Sequence, residues 1–211
     1  QRSKGIMSYS PFKRIVDFFL SGILLVILSP LMIVVGVLAL VLQGRPVLFV
    51  QIRPGLHERP FKLLKFRTMA SNKLTRVSQL EEKQTTRFGK ILRALSLDEL
   101  PQLINILLGD MSFVGPRPLL MEYLPLYSNH QKRRHNVRPG LTGFAQIDGR
   151  NQVPWERRLA LDVVYADNYS LAMDVRIVLK TFGLVLTRQG VRPNGSEIMS
   201  HFRGNDMSDA Q

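Results

Sequence analysis

Adjacent carboxylates are the first residues whose chemistry stands out. Asp98 and Glu99 lie in Ser96-Leu97-Asp98-Glu99-Leu100-Pro101, just after a basic stretch. Two neighbouring carboxylates can hold a divalent cation or supply an oxygen nucleophile. The same residues contain Ser96-x-x-Glu99, the pattern of a helix capping box, and acidic residues suit a helix N-terminus. Pro101 would then fall inside the helix that the box opens. Taken alone, the pair reads first as structural, with the catalytic reading open beside it.

Cations at turns come next. In Gly115-Pro116-Arg117-Pro118 two prolines fix the backbone around one arginine, and a guanidinium held that way suits a bidentate grip on phosphate. The alternative is a stiff turn with a solvated arginine. Arg138-Pro139-Gly140-Leu141-Thr142-Gly143 and Gly149-Arg150-Asn151 combine glycine with a cation, as does Arg53-Pro54-Gly55. Each is a weak signal by itself. A carboxylate pair among several fixed cations meets the needs of phosphoryl transfer, which must neutralise phosphate charge and position a nucleophile.

The elements that must position these groups begin with a lipid-length segment. Phe18 to Leu42 is an uncharged apolar run of 25 residues, interrupted at Ser29-Pro30. As helix it extends about 38 Å, enough for a bilayer core of about 30 Å. Pro30 has no N–H for the carbonyl of Val26, and Ser29 can bond back one turn to relieve that defect. Both flanks are basic, with Lys13 and Arg14 before the run and Arg45 and Arg53 after it. A spanning helix favours an excess on one side. The residues leave a spanning and a re-entrant helix equally open.

After the run, Val47 to Val50 and Phe61 to Arg67 read as paired strands joined through Arg53-Pro54-Gly55. Ser71 to Thr85 reads as a mobile loop or short helix. Phe88, Ile91, Leu92 and Leu95 mark one face of an amphipathic helix. A second stripe comprises Val175, Val178, Leu179, Phe182, Val185 and Leu186, with Asp174 as its expected N-cap. It suits a helix lying in the headgroup layer slightly better than one packed in a core.

The 211 residues carry a net charge of +13, a field that favours nucleic acid, acidic lipid or phosphorylated metabolites. There is no cysteine, so thiolate catalysis and Cys-based zinc sites are excluded, and the four scattered histidines lack metal-ligand spacing. The segment before Met7 reads as a cloning remnant, with Met7 as the natural start.

Together, Lys65-Phe66-Arg67-Thr68-Met69, Gly89-Lys90-Ile91-Leu92-Arg93 leading into Leu95 to Leu103, Gly109-Asp110-Met111-Ser112-Phe113-Val114 running into Gly115 to Leu119, and Arg138 to Gly143 through Asn151 closely resemble the bacterial sugar transferase family, the monotopic phosphoglycosyl transferases. The resemblance covers Phe12 to about Val191. It implies an α+β, mainly helical, monotopic fold. Residues 1–11 form a tail, 12–43 a re-entrant helix-break-helix, 44–191 a small cytoplasmic catalytic domain with amphipathic interfacial helices, and 192–211 a weakly ordered C-terminal tail. It places the protein on the cytoplasmic face of the bacterial inner membrane, among anionic lipids, with Ser29 and Pro30 as the membrane break.

The resemblance also implies a reaction. Asp98 attacks the β-phosphorus of a UDP-sugar, UMP leaves, and polyprenyl (undecaprenyl) phosphate takes the phosphosugar. Cation neighbours such as Arg93 keep Asp98 ionised. Mg²⁺ is held at Asp98 and Glu99, while Lys65, Arg93, Arg117, Arg138 and Arg150 face phosphate or substrate. Tyr123-Leu124-Pro125-Leu126-Tyr127 and the segment from Gly190 to Phe202 are similar to members that use UDP-di-N-acetylbacillosamine. A homodimer is allowed. Two positions depart from the family pattern: the basic, shortened segment from Met69 to Thr85, and Asp148, where Asn or Ser is expected. A membrane-anchored nucleic-acid binder and a scaffold for other glycan enzymes compete with this reading. The charge suits the former, but no nucleic-acid motif is present and no nucleic-acid partner is expected.

Overall fold

The computed structural model describes residues 2–69, 85–149, 153–186 and 201–204. Helix α1 (Arg2–Gln43) takes up most of the expected tail as well as the apolar run. It continues through Pro30 with no non-helical residue between two halves. The Ser29 hydroxyl donates to the Val26 carbonyl at 2.8 Å, supplying the bond that Pro30 lacks. The expected interruption is therefore a healed defect rather than a gap in the helix.

Most of α1 is exposed apolar surface, with Val26 at 75% and Val41 at 73%. One stripe is not. Asp17, Ser21, Val35 and Ala39 are buried, and Leu24, Leu25, Leu28 and Met32 fill the gaps at helical spacing. The upper stripe packs on Phe61, Leu63, Leu103, Ile106 and Met111, and the lower on Phe66 and Leu92. The membrane-length helix is thus docked along the rest of the protein from near its start to near its end.

Strands β1 (Leu48–Pro54) and β2 (Pro60–Phe66) form the expected antiparallel hairpin, with Phe49 opposite Lys65 and Arg53 opposite Phe61. Helix α2 (Arg87–Ala94) is capped by Thr86, whose side chain accepts from the Gly89 N–H at 2.9 Å. Helix α3 (Gln102–Leu108) ends at Gly109 in the left-handed conformation, φ 96°. Buried Asn105 in α3 accepts from the Leu64 N–H at 3.1 Å and donates to the Lys62 carbonyl at 2.8 Å, which bolts the hairpin to α3.

Strand β3 (Ser112–Val114), the short helix α4 (Asn129–Lys132) and strand β4 (Gly140–Thr142) follow. β3 and β4 pair in parallel, Ser112 opposite Gly140 and Val114 opposite Thr142. A Cβ on Gly140 would meet the Gly115 nitrogen at 2.1 Å, and one on Gly115 would meet the Arg138 carbonyl at 2.4 Å. Only glycine lets these two turns touch backbone to backbone.

Helices α5 (Phe144–Gly149), α6 (Trp155–Asn168) and α7 (Leu171–Leu186) complete the fold. Ser170, not Asp174, caps α7, accepting from the Met173 N–H at 3.3 Å. Asp174 lies one turn inside, where its N–H already bonds the Ser170 carbonyl. Its buried carboxylate pairs with Lys13 and accepts from the Tyr165 hydroxyl at 2.7 Å. α7 packs through buried Ile177 and leaves Leu171, Val175, Leu179 and Phe182 exposed. In the expected C-terminal tail, Phe202 is buried against Tyr123, Tyr127 and Trp155, so residues 201–204 are packed rather than loose. The Ser71 to Thr85 segment lies outside the described residues except at Thr85, which bridges Met69.

Candidate active site

Asp98 and Glu99 sit in a 3₁₀ turn, Leu97–Glu99, between α2 and α3. No capping box forms. Ser96 is left-handed (φ 55°) and its side chain makes no cap bond, while Pro101 immediately precedes α3 instead of interrupting a helix. The Glu99 side chain is held elsewhere. Its Oε1 accepts from Lys65 Nζ at 2.7 Å and from Arg117 at 2.8 Å. Both cations come from motifs distant in sequence: β2 delivers Lys65, and the proline-flanked turn after β3 delivers Arg117. Arg93, on α2, adds a third positive charge near Asp98 and donates its Nε to Thr68 Oγ1 at 3.0 Å.

The two carboxyls have opposite acidities. Burial works against Glu99 ionisation, but Arg117 and Lys65 outweigh it and hold the group at about 2. Asp98 is pushed above the usual carboxylate range, first by burial and then by the charge of Glu99. Lys65, Arg93 and Arg117 pull the other way without prevailing. The expectation that cations dominate at Asp98 is therefore corrected. Its carboxylate is the more basic of the pair, which suits a nucleophile better than full stabilisation would.

Hard oxygens remain available. Among the described residues neither Asp98 oxygen nor Glu99 Oε2 accepts a hydrogen bond. No cluster of three or more metal-ligating side chains exists among them. This donor set fits Mg²⁺, which binds through one or two carboxylates and fills its octahedron with water and substrate phosphate.

The Lys65-to-Met69 motif resolves into separate tasks. Phe66 packs on α1. Buried Arg67 donates to the carbonyls of Gln43, Gly44 and Arg45, closing the C-terminal end of α1. Arg138 is not at the carboxylate pair. Its Nε donates to the Gly109 carbonyl at 2.9 Å, beside Arg14, which donates to Ile106 and Leu107. The two arginines complete the C-terminal end of α3, where cations and helix dipole attract. Arg138 also lines a cavity of about 180 Å³ beside the N-terminal part of α1, together with Lys13, Asp17, His57 and Tyr165. Arg150 lies outside the described residues. Asp148 is paired with Arg157 at 2.7 Å.

One supporting pair gave no motif signal. Arg134 and Asp162 are buried with 1% and 2% of their side chains exposed and meet at 2.7 Å. Arg134 also donates to the Arg117 carbonyl at 2.7 Å, so a buried ion pair clamps the turn that presents Arg117. No sequence pattern sets Arg134 apart from its neighbours Lys132 and Arg133; only a buried acid on α6 does.

Arg117 reaches Glu99 through one NH₂ and keeps further donors for a ligand. Arg117→Lys keeps the charge and loses the fork. Turnover is expected to fall about 10- to 100-fold, the loss of one charge-assisted bond. A steady-state assay giving wild-type rates for the lysine variant would reduce the site to a point charge.

A membrane-length helix docked on an α+β domain, with a carboxylate pair ringed by cations, describes a membrane-associated protein. The chain belongs to the bacterial sugar transferase family, whose profile matches residues 8–188. It is 50% identical over 163 residues to the uncharacterized sugar transferase EpsL of Bacillus subtilis (strain 168), covering 77% of this chain and 81% of that one. It is 36% identical over 182 residues to the UDP-glucose:undecaprenyl-phosphate glucose-1-phosphate transferase of Klebsiella pneumoniae, covering 81% and 39%. It is 37% identical over 193 residues to the UDP-N-acetylgalactosamine-undecaprenyl-phosphate N-acetylgalactosaminephosphotransferase of Aeromonas hydrophila, covering 87% and 46%. The protein is accordingly a transferase of substituted phosphate groups.

Proposed function

We propose that the protein transfers a sugar-1-phosphate from a UDP-sugar to polyprenyl phosphate through a covalent intermediate on Asp98. An Asp98 oxygen attacks the β-phosphorus, a P–O bond forms, and the phosphoanhydride bond breaks with its electron pair leaving on UMP. A phosphate oxygen of the lipid then attacks the same phosphorus and displaces the Asp98 carboxylate, giving polyprenyl-diphosphate sugar. The observation that carries this reading is the contrast within the pair: Glu99 is fixed by Lys65 and Arg117, while the Asp98 oxygens take no hydrogen bond from a described residue. Mg²⁺ held at Asp98 and Glu99 would neutralise phosphate charge. Arg117 and Arg93 would orient the phosphates, and Lys65 would keep Glu99 ionised. The donor belongs to the UDP-sugars, with UDP-glucose and UDP-N-acetyl sugars, UDP-di-N-acetylbacillosamine included, as the set to test. Purified enzyme with Mg²⁺ and a matching UDP-sugar should release about one UMP per enzyme before any lipid is added. A UMP signal that strictly requires polyprenyl phosphate would instead mean direct transfer.

The protein is proposed to sit on the cytoplasmic face of the inner membrane, with α1 dipping into the bilayer without crossing it. Support comes from both ends of α1 being tied to one domain. Lys13 pairs with Asp174 and Asp17 accepts from the Phe113 N–H near the start, and Arg67 holds the end. The exposed apolar face of α7 would rest in the headgroup layer. The chain has no cysteine, so single cysteines at Ser10 and Gly44 report cleanly. Both should be shielded from an impermeant thiol reagent in intact cells. Labelling of one site alone would establish a spanning helix.

A further inference from the structure

The hairpin carries two cations on one face, and the site described so far uses only one. Residues directly opposite in an antiparallel pair share a face, as do residues two apart in a strand. Phe49 lies opposite Lys65 and Arg53 opposite Phe61. Lys65 and Arg53 therefore point to the same side of the hairpin, four strand positions or about 13 Å apart along it. Lys65 holds Glu99. Arg53 has no acidic partner within ion-pair distance among the described residues. Its one hydrogen bond goes to the neutral Gln51 side chain at 2.7 Å, and its buried Nε has no partner.

The strongest charge acting on Arg53 is Arg117; Glu122 acts the other way, more weakly, and makes no ion pair with it. Arg117 acts on both Lys65 and Arg53, so it stands electrostatically between them. Pro54, next to Arg53, lines the same crevice as Arg117 and its flanking prolines. Burial and then repulsion from Arg117 lower the Arg53 guanidinium to about 10. Two guanidinium groups that repel each other, one of them bonded to no carboxylate, can be joined by a shared anion. The excess is wider than this pair. Among the described residues Lys65, Arg93 and Arg117 act on Asp98 and Glu99, and Arg53 adds a further cation that no described acid pairs with.

We propose that Arg53 is a phosphate-binding residue, the second guanidinium after Arg117 to grip a substrate phosphate, on the side of Arg117 away from the carboxylate pair. The inference rests on the phosphoryl-transfer reading above. The phosphate belongs either to the nucleotide diphosphate or to the lipid acceptor, and the two half-reactions separate them.

Arg53→Gln removes the charge, and Arg53→Lys keeps it without the fork. UMP release is measured against UDP-sugar concentration without lipid, and full turnover against polyprenyl phosphate. In parallel, UDP is tested for raising the melting temperature. For a nucleotide phosphate, Arg53→Gln should raise the KM for UDP-sugar roughly 10- to 100-fold, leave kcat within about threefold, and shrink the UDP-induced shift. Arg53→Lys should fall between. For the lipid phosphate, the KM for polyprenyl phosphate rises by that factor, while UMP release and the UDP shift stay as in wild type. Variants with wild-type melting temperature and both KM values within about twofold of wild type overturn the proposal. So does unfolding of both variants, which would make Arg53 structural. A wild-type enzyme that releases no UMP from any UDP-sugar overturns the phosphoryl-transfer reading itself, and this inference with it.

Discussion

Replacing Asp98 by Asn is expected to lower turnover by about 10⁴- to 10⁶-fold, the range seen when a nucleophile is removed from a covalent mechanism. The amide has nearly the same size, so the 3₁₀ turn and the Glu99 contacts to Lys65 and Arg117 should persist. UMP release without lipid should vanish along with full turnover. Mass spectrometry should find a phosphosugar on the wild-type enzyme at Asp98 and none on the variant.

Stability should move the other way. Asp98 has a raised pKa, so its ionised form costs stability above its ordinary value, and that cost is relieved as pH falls through the raised value. At pH 7 the asparagine variant should melt at or above the wild-type temperature. Glu99 has the opposite sign. Its pKa is depressed to about 2, so its contribution is present above its ordinary 4.5 and is lost as pH falls from there toward 2. The acid limb of kcat/KM for UMP release should report Asp98 and lie above the ordinary carboxylate range. A limb at or below 3.8, or an inactive variant that also melts far lower, would count against Asp98 as a desolvated nucleophile.

Replacing Arg134 by Met should cost about 3–5 kcal/mol, because it removes one partner of a fully buried ion pair and strands the Asp162 charge. Denaturant unfolding would measure it. The double replacement Arg134→Met with Asp162→Leu removes both charges, so much of that loss should return. The double variant still lacks the donor to the Arg117 carbonyl. It should therefore be folded but slow, with the turn at Arg117 no longer clamped. Full activity in a stable double variant would show that the ion pair serves the fold alone.

Much of the architecture was legible in short stretches. The apolar run, the hairpin and α2 follow from periodicity and turn chemistry, which act over a few residues. Asp98, Glu99, Lys65, Arg93 and Arg117 were legible as a group through the family motifs, and the fold does bring all five together. The capping-box reading of Ser96 and Glu99 failed because local pattern was the wrong scale: Lys65 and Arg117 lie 34 and 18 residues from Glu99, yet they claim its carboxylate.

The tertiary structure alone decided which charges pair. With 29 Lys and Arg and 16 Asp and Glu in the chain, the sequence leaves a very large number of combinations open. Arg138 looks like another phosphate cation but completes the end of α3, and Arg67 the end of α1. Asp174 looks like an N-cap but anchors Lys13 across 161 positions. Asp17 and Ser21 carry no sequence signal of their own, yet they begin the buried stripe that docks α1 to the domain. Burial turns each of these into an obligation to find a partner, and the path of the whole chain determines which groups are buried together. Local sequence pattern determined α1, α2, α7 and the hairpin, through forces that act over a few residues, and the family motifs singled out Asp98 and Glu99. The long-range path of the backbone determined which cations brace the fold and which gather at the carboxylate pair.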